Sequence, residues 1–299
     1  MPSLILGSAR SNFYKGAVPS QRYLGTFQSE WLGTYTNRVF IENGVTQWIV
    51  PAGVTSAKIE CLGAGGSSVF TSRSGGAGAA YAADTISVTP GETLTLQVPT
   101  RTPAAVNSVG ADCFVKRGST TLVLAKSANA PTSTSASAQG GQASACVGAI
   151  KYSGGNAGST PVANTRSGGG GAAGPNGPGA SSGDSPNTTR GSGGGGANGG
   201  GVGGSSTLGT GGTGPTGITG GSPGQPGTFG SGGGGNNGNA GDNSHNAEWD
   251  SAHGCGSGAG GNTSGTGGSG ASAGAYGGGA GGGTTNNPIG GPGLIVISY

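Results

Sequence analysis

Between Thr46 and Lys126 the sequence alternates short apolar and polar runs in the manner of β-strands. Residues 56–62 give the clearest pattern, because Ala57, Ile59 and Cys61 recur at every second position and place one face towards a core. Pro and Gly residues at 51–54 and 90–92 have the composition of turns. The pattern predicts six strands, at 47–50, 56–62, 81–88, 93–98, 112–116 and 120–126.

The last six residues, 294–299, form another β-branched run and predict a strand that returns to the same sheet system. Short strands separated by turns are typical of an all-β fold. We therefore expect an antiparallel β-sandwich, jelly-roll-like, over residues 46–153, closed by a strand at 294–299. Cys61 is expected to be a small buried side chain, since it alternates in phase with Ile59.

Residues 154–293 lie between these parts and consist mainly of Gly, Ser, Thr, Asn, Ala and Pro. Of the 74 glycines, 56 follow residue 150. Glycine recurs at every third position in three runs, which begin at Gly168, Gly211 and Gly221. A period of three is the repeat of the polyproline II helix, and glycine edges would let such helices hydrogen-bond to one another.

This period favours a bundle of polyglycine-II helices for residues 154–293. A disordered linker and a collagen-like stalk are the alternatives. The triplet runs are short, and the 16 prolines are far fewer than a collagen-like chain contains.

Residues 1–45 combine aromatic and arginine side chains without a regular period. Such residues dominate protein interfaces, so we interpret this stretch as an arm that attaches the protein to a partner. A loop that packs on its own domain is the alternative. The candidate anchor residues are Phe13, Tyr14, Arg22, Tyr23, Phe27, Trp31 and Tyr35.

Charge and composition argue against several functions. The net charge is only +3, and no basic residue follows Arg190, so nucleic-acid binding by the glycine-rich half is not expected. No apolar run is long enough to cross a membrane, and the first residues do not have the pattern of a signal peptide. The four cysteines show no CxxC spacing; three disulfide pairings are open and none is implied.

One segment, 242–255, departs from the glycine-rich composition: it holds both histidines, three acids, a tryptophan and a cysteine. Its spacing matches no standard zinc site, and no cofactor is expected. We interpret it as a loop at the end of a rigid scaffold that contacts a receptor, with a structural capping turn as the alternative. Its candidate contact residues are Asn243, His245, Glu248, Trp249, Asp250 and His253.

No enzymatic function is expected. Residues 179–183 and 270–274 match the G-x-S-x-G motif, but neither match lies between a strand and a helix, as a nucleophile elbow requires.

The stretch Trp48-Ile49-Val50-Pro51-Ala52-Gly53-Val54-Thr55, with Gly63-Ala64-Gly65-Gly66 after the next strand, resembles the glycine-rich domain of bacteriophage tail fibres, adhesins and related virion surface proteins. The closing run from Gly290 to Tyr299 is similar to the last strand of that family. The resemblance covers residues 46–299; residues 1–45 lie outside it.

The resemblance implies a non-enzymatic protein of the virion surface, made in the host cytoplasm. Its function would be host attachment as a tail fibre or adhesin tip. The implied partners are other virion proteins of the tail or capsid, a host surface glycan or outer-membrane receptor, and further copies of the chain in a homotrimer. A capsid-decoration or head-fibre protein attached through residues 1–45 is the alternative, followed by a depolymerase of surface glycans.

Overall fold

The computed structural model describes residues 35, 37–42, 44–68, 74–102, 108–133, 136–160, 166–185, 192–203, 248–250, 252–261, 276–283 and 288–299. Within these ranges the chain forms nine strands and one short 3-10 turn at Ala143–Ala145. The strands are β1 (Arg38–Ile41), β2 (Gln47–Ile49), β3 (Ser56–Leu62), β4 (Tyr81–Ser87), β5 (Thr93–Gln97), β6 (Cys113–Arg117), β7 (Thr120–Ala125), β8 (Ile150–Tyr152) and β9 (Leu294–Ser298).

The strands form two sheets, one of five strands in the order β1-β9-β3-β4-β8 and one of four in the order β2-β5-β6-β7. Every strand pair is antiparallel. The predicted all-β class is confirmed, and the seven strands expected from the sequence are present. Strands β5, β6 and β7 follow one another within one sheet as a meander, and the jelly-roll-like connectivity is not confirmed.

Strands β1 and β8 were not expected from the sequence. β1 pairs along its whole length with β9, with Arg38 opposite Ser298. Residues 38–41 therefore belong to the five-stranded sheet, although they fall within the stretch 1–45 that we interpret as an arm. β8 extends the other edge of the same sheet by pairing with β4.

The main hydrophobic core lies between the two sheets. Alternate residues of β3, β5, β6, β7 and β9 point into it, as the period of two predicts. Cys61 is fully buried here, as expected, and burial raises the pKa of its thiol well above the usual value. The large aliphatic residues of this core include Ile59, Ile295 and Ile297 from the five-stranded sheet and Leu94, Leu96, Val115 and Val123 from the four-stranded sheet.

The five-stranded sheet is also covered on its second face. All five residues of β9 are buried, because the strand lies between β1 and β3 and has protein on both sides. A second cluster packs on this outer face. It joins Leu62, Tyr81, Leu294 and Val296 of the sheet to Ala172, Ala173, Ala197, Trp249 and Cys255.

Apart from Trp249, the residues that cover this face belong to a set of glycine-rich segments, here called the glycine array: 63–68, 74–80, 153–160, 166–185, 192–203, 255–261, 276–283 and 288–293. Its segments are hydrogen-bonded to one another through the backbone, mostly outside strands. The first two segments follow β3 and precede β4, so the array includes more of the chain than the predicted insert 154–293.

Segment 166–174 shows how the array is connected. Its successive amides donate in turn to segment 255–261, to segment 74–80 and to the returning stretch 177–180. This order of neighbours repeats after three residues. All six N–O distances lie between 2.8 and 3.1 Å. The donor–acceptor pairs are Gly169–Ala259, Gly170–Gly76, Gly171–Ala180, Ala172–Gly256, Ala173–Ala79 and Gly174–Gly177.

The carbonyl groups of the same segment point to three further neighbours, so six segments surround it. These carbonyls accept from the amides of segments 153–160, 192–203 and 276–283. The period-three glycines have a direct role here: Gly168, Gly171 and Gly174 all face segment 192–203. A Cβ on Gly171 would lie 2.1 Å from the carbonyl oxygen of Gly196. Close backbone approach therefore requires glycine at this position.

Candidate functional site

The segment singled out for its histidines lies partly within the described residues. Asn243 and His245 fall outside them. Glu248, Trp249, Asp250 and His253 lie close to β1 and to Tyr276 of the glycine array. We call these four residues, together with Arg38, Phe40, Glu42 and Tyr276, the His253 cluster.

Trp249 is the buried end of this cluster. Its side chain is only 4% exposed and belongs to the apolar cluster on the outer face of the five-stranded sheet. The Trp249 carbonyl accepts a 2.8 Å hydrogen bond from Nη1 of Arg38 on β1. The indole therefore anchors the loop to the protein interior instead of facing solvent.

Glu248 also turns inward. Its carboxylate accepts from the side-chain amide of Asn198 and, at 2.6 Å, from the backbone amide of Cys255. Asn198 has a positive φ of 51° and its own Oδ1 accepts from the amide of Asn176 at 2.7 Å. Burial, followed by the nearby Glu248 carboxylate, raises the pKa of the Cys255 thiol well above its usual value. Glu248 thus links its own loop to Asn198 and Cys255 of the glycine array.

His253 lies in a stack of aromatic rings. Its imidazole is nearly parallel to the Phe40 ring, with 3.9 Å between centroids, and lies 5.8 Å from the Tyr276 ring. Nδ1 contacts both carboxylate oxygens of Asp250, at 2.8 and 2.9 Å. Nε2 lies 3.8 Å from Oε1 of Glu42. Both ring nitrogens are thus directed at carboxylates.

Asp250 also holds the turn that carries His253. Its Oδ1 accepts from the backbone amides of Ala252 and His253, at 2.8 and 2.9 Å. This is the local pattern by which Asp stabilises a turn without regular secondary structure. The side chain is therefore already committed to the fold of the loop.

Tyr276 and Glu42 form the outer end of the cluster. The Tyr276 hydroxyl donates to Oε1 of Glu42, whose side chain is 60% exposed. Burial, followed by the hydrogen bond to Glu42, raises the pKa of the Tyr276 phenol, so it stays a protonated donor at physiological pH. A cavity of about 420 Å³ opens beside these two groups. It is lined by Glu42, Thr100, Arg101, Ala252, Tyr276, Pro292 and Gly293.

Among the described residues, no group of three or more His, Cys, Asp or Glu side chains has the geometry to hold a metal ion. The polar groups around His253 are already paired within the protein. A ligand could reach the exposed carboxylate of Glu42 and the side chain of Arg101 at the cavity wall.

Sequence reasoning identified one side of this site and missed the other. Phe40 and Glu42 belong to the stretch interpreted as an arm, and Arg101 is one of several isolated basic residues. The sequence could have indicated Tyr276, because it is the only Phe, Trp or Tyr between Trp249 and Tyr299.

Most of the candidate anchor residues lie outside the described part of the chain: Phe13, Tyr14, Arg22, Tyr23, Phe27 and Trp31. Tyr35 is described, and its hydroxyl shares a 3.3 Å hydrogen bond with Oγ1 of Thr85 on β4. It thus contacts the protein's own sheet.

The described residues contain no helix long and apolar enough to cross a membrane. A comparison of the chain with protein-family models and with curated proteins found no match.

Proposed function

We propose that this chain is a structural protein of a bacteriophage particle, a tail fibre or adhesin tip that binds the surface of the host cell. The glycine array is the observation that supports this most directly. Six neighbours around segment 166–174 restrain its backbone without a large side-chain core. Such an array suits a stiff projecting body that carries loops at its surface.

The finer description of the array belongs to the same proposal. A hydrogen-bond direction that repeats every three residues, with neighbours on all sides, is what a bundle of polyglycine-II helices requires. The close approach of Gly170 and Gly171 to carbonyl oxygens of neighbouring segments supports this geometry. In our proposal, residues 154–293 form that bundle together with 63–68 and 74–80.

The attachment end of the molecule is proposed to be residues 1–45, which would bind other virion proteins. Strand β1 supports a mechanical role for this stretch, because it fixes residues 38–41 beside β9 in the five-stranded sheet. A force on the preceding residues would pass directly into the sheet. Fibres of the resembling family are commonly trimeric, so a homotrimer is the proposed assembly.

The location in the particle tests this function. An antibody against the purified chain is applied to virus particles from the culture that produces the protein, and gold labels are located by electron microscopy. Label at the tail tip or fibres supports the proposal. Label over the capsid would overturn host attachment in favour of a decoration or head-fibre role, and unlabelled particles would overturn a place in the virion.

A second measurement tests binding itself. Fluorescently labelled full-length protein is incubated with the host strain and with a phage-resistant derivative that lacks the receptor. Binding to the first and not to the second is expected. Equal binding to both strains would contradict receptor recognition.

A further inference from the structure

The cavity beside the His253 cluster has the size and position of a small-molecule site. Its volume of about 420 Å³ falls within the range of roughly 300–1,000 Å³ that is usual for ligand pockets. Its walls come from the end of β1, the loop after β5, the loop at Ala252, the array at Tyr276 and the residues before β9. The site exists only when both sheet and array are folded.

Two of its polar groups are held in position before any ligand arrives. The Tyr276 hydroxyl donates to Glu42, and the Tyr276 ring is stacked on His253, which is stacked in turn on Phe40. Preorganised groups lose less conformational entropy on binding than free side chains do. Glu42 therefore offers a fixed acceptor beside the aromatic ring of Tyr276.

Arg101 supplies the donors. Its side chain is exposed, and it forms no hydrogen bond or ion pair with any residue in the described ranges. A guanidinium carries five N–H donors in a planar fork. The cavity thus combines a carboxylate acceptor, a guanidinium donor, a Thr100 residue and the apolar surfaces of Tyr276 and Pro292.

This combination selects among ligand classes. A divalent cation would need more than one carboxylate at the cavity wall, and a phosphate would face the negative charge of Glu42. An apolar peptide side chain would leave Glu42 and Arg101 without partners on burial. A sugar ring has hydroxyl groups that both donate and accept, and an apolar C–H face that packs against an aromatic ring.

We propose that the cavity binds one or two units of a saccharide, with Glu42 accepting from sugar hydroxyls, Arg101 donating to sugar oxygens and the Tyr276 ring beside the C–H face. This deepens the proposed function, on which it rests for the source of the sugar, a glycan of the host surface. Ala252 lines the site beside residues 42, 101 and 276, so the receptor contact would involve residues from distant parts of the sequence.

The test uses the full-length protein and a panel of free hexoses, N-acetylhexosamines and uronic acids, with binding followed by saturation-transfer NMR and calorimetry. A weak interaction is expected, with a Kd on the order of 1 mM for a single unit. Arg101→Ala should weaken the binding at least about tenfold. Lys151→Ala, which removes an exposed cation from β8, is the matched control and should leave it unchanged.

Glu42→Gln keeps the shape of the side chain and should also weaken binding, with thermal unfolding as a check that the fold persists. Unchanged saccharide binding in Arg101→Ala would overturn the proposal, as would equal binding of acetate or phosphate with the same dependence on Arg101. If no saccharide binds while the protein still binds host cells, the cavity proposal is wrong and host attachment stands. If a saccharide binds through Arg101 while host cells are not bound, the site stands and host attachment fails.

Discussion

Replacement of Gly170 by alanine tests the glycine array most directly. Gly170 is buried, and a Cβ there would lie 1.9 Å from the carbonyl oxygen of Gly155 and 2.9 Å from the amide nitrogen of Gly78. Ordinary contact begins near 3.4 Å, so the neighbouring backbone would have to move by about 1.5 Å. The atoms in the way belong to backbone, which cannot rotate aside as a side chain does.

The cost follows from the hydrogen bonds that such a movement breaks. The Gly155 carbonyl accepts from Gly78 at 2.8 Å, and the Gly170 amide donates to Gly76 at 3.1 Å. Each buried polar group left without a partner costs about 1–3 kcal/mol. If one group of each broken bond stays without a partner, the free energy of unfolding falls by about 2–6 kcal/mol, a large fraction of the roughly 5–15 kcal/mol typical of a domain.

Gly118→Ala is the control. Gly118 lies in the turn between β6 and β7 with a φ of +57°, and a Cβ on this residue would have no atom within 4 Å. Its replacement costs only the left-handed backbone strain of an L-residue, about 1–2 kcal/mol. The comparison thus separates steric exclusion within the array from the general cost of removing a glycine.

Unfolding in guanidinium gives the free energies, and amide hydrogen exchange of Gly76, Gly78 and Gly170 reports on the array even if it unfolds separately from the sheets. Wild-type protein should protect these amides, and Gly170→Ala should expose them. The reasoning is refuted if Gly170→Ala is no more destabilising than Gly118→Ala, or if the wild-type amides already exchange at the rate of an unfolded chain.

Three further outcomes follow from buried or paired groups. Tyr81→Phe removes the hydroxyl that donates to buried Glu60 at 2.5 Å, and should lower the free energy of unfolding by about 1–3 kcal/mol in urea titrations. Trp249→Ala should cost about 3–5 kcal/mol, whereas a solvent-facing contact residue would cost far less. The hydrogen bond from Arg117 lowers the pKa of Glu92, so this pair should stabilise the fold above the usual glutamate pKa and cease to do so as the pH falls through the lowered value. Arg117→Gln should remove that acid dependence. The free energy of unfolding should change by at most about 1 kcal/mol, because the pair is exposed. Unfolding curves at neutral pH and at about pH 3 measure this change.

The strands that the sequence predicted have a local signal, either an alternation of apolar and polar residues or, in β9, a run of β-branched residues. In β3, the alternating residues Ala57, Ile59 and Cys61 are all fully buried in the core between the sheets. β1 has only four residues, and its partner β9 lies some 260 positions away. A short run of this kind has no local pattern of its own, because its stability depends on a distant strand.

The glycine array was predicted only in part for a related reason. A period of three identifies one glycine edge, whereas Gly168, Gly169 and Gly170 are consecutive and meet three different segments. The number of neighbours depends on how the whole chain folds back, and a linear pattern does not contain it. Segments 63–68 and 74–80 join the array for the same reason, although they lie beside ordinary strands.

In the candidate site, too, local composition singled out residues but did not reveal the distant residues that they contact. The unusual composition of 242–255 singled out Glu248, Trp249, Asp250 and His253. In the structure Asp250 contacts His253, whereas Glu248 and Trp249 turn into the protein interior. The burial of Trp249 could not be predicted, since the polar composition of the loop does not reveal the apolar surface on which the indole packs. Its pocket is created by the outer face of the sheet, where Leu294 and Val296 lie.

The position of β9 between β1 and β3 has a consequence for the way the protein is made. Until residues 294–298 have been synthesised, β3 lacks its β9 partner and presents unpaired backbone donors and acceptors along one edge. An open edge of this kind accepts foreign strands and promotes aggregation. The nascent chain can therefore pair with other extended peptides, including β9 strands of other copies, until its own β9 pairs with β3.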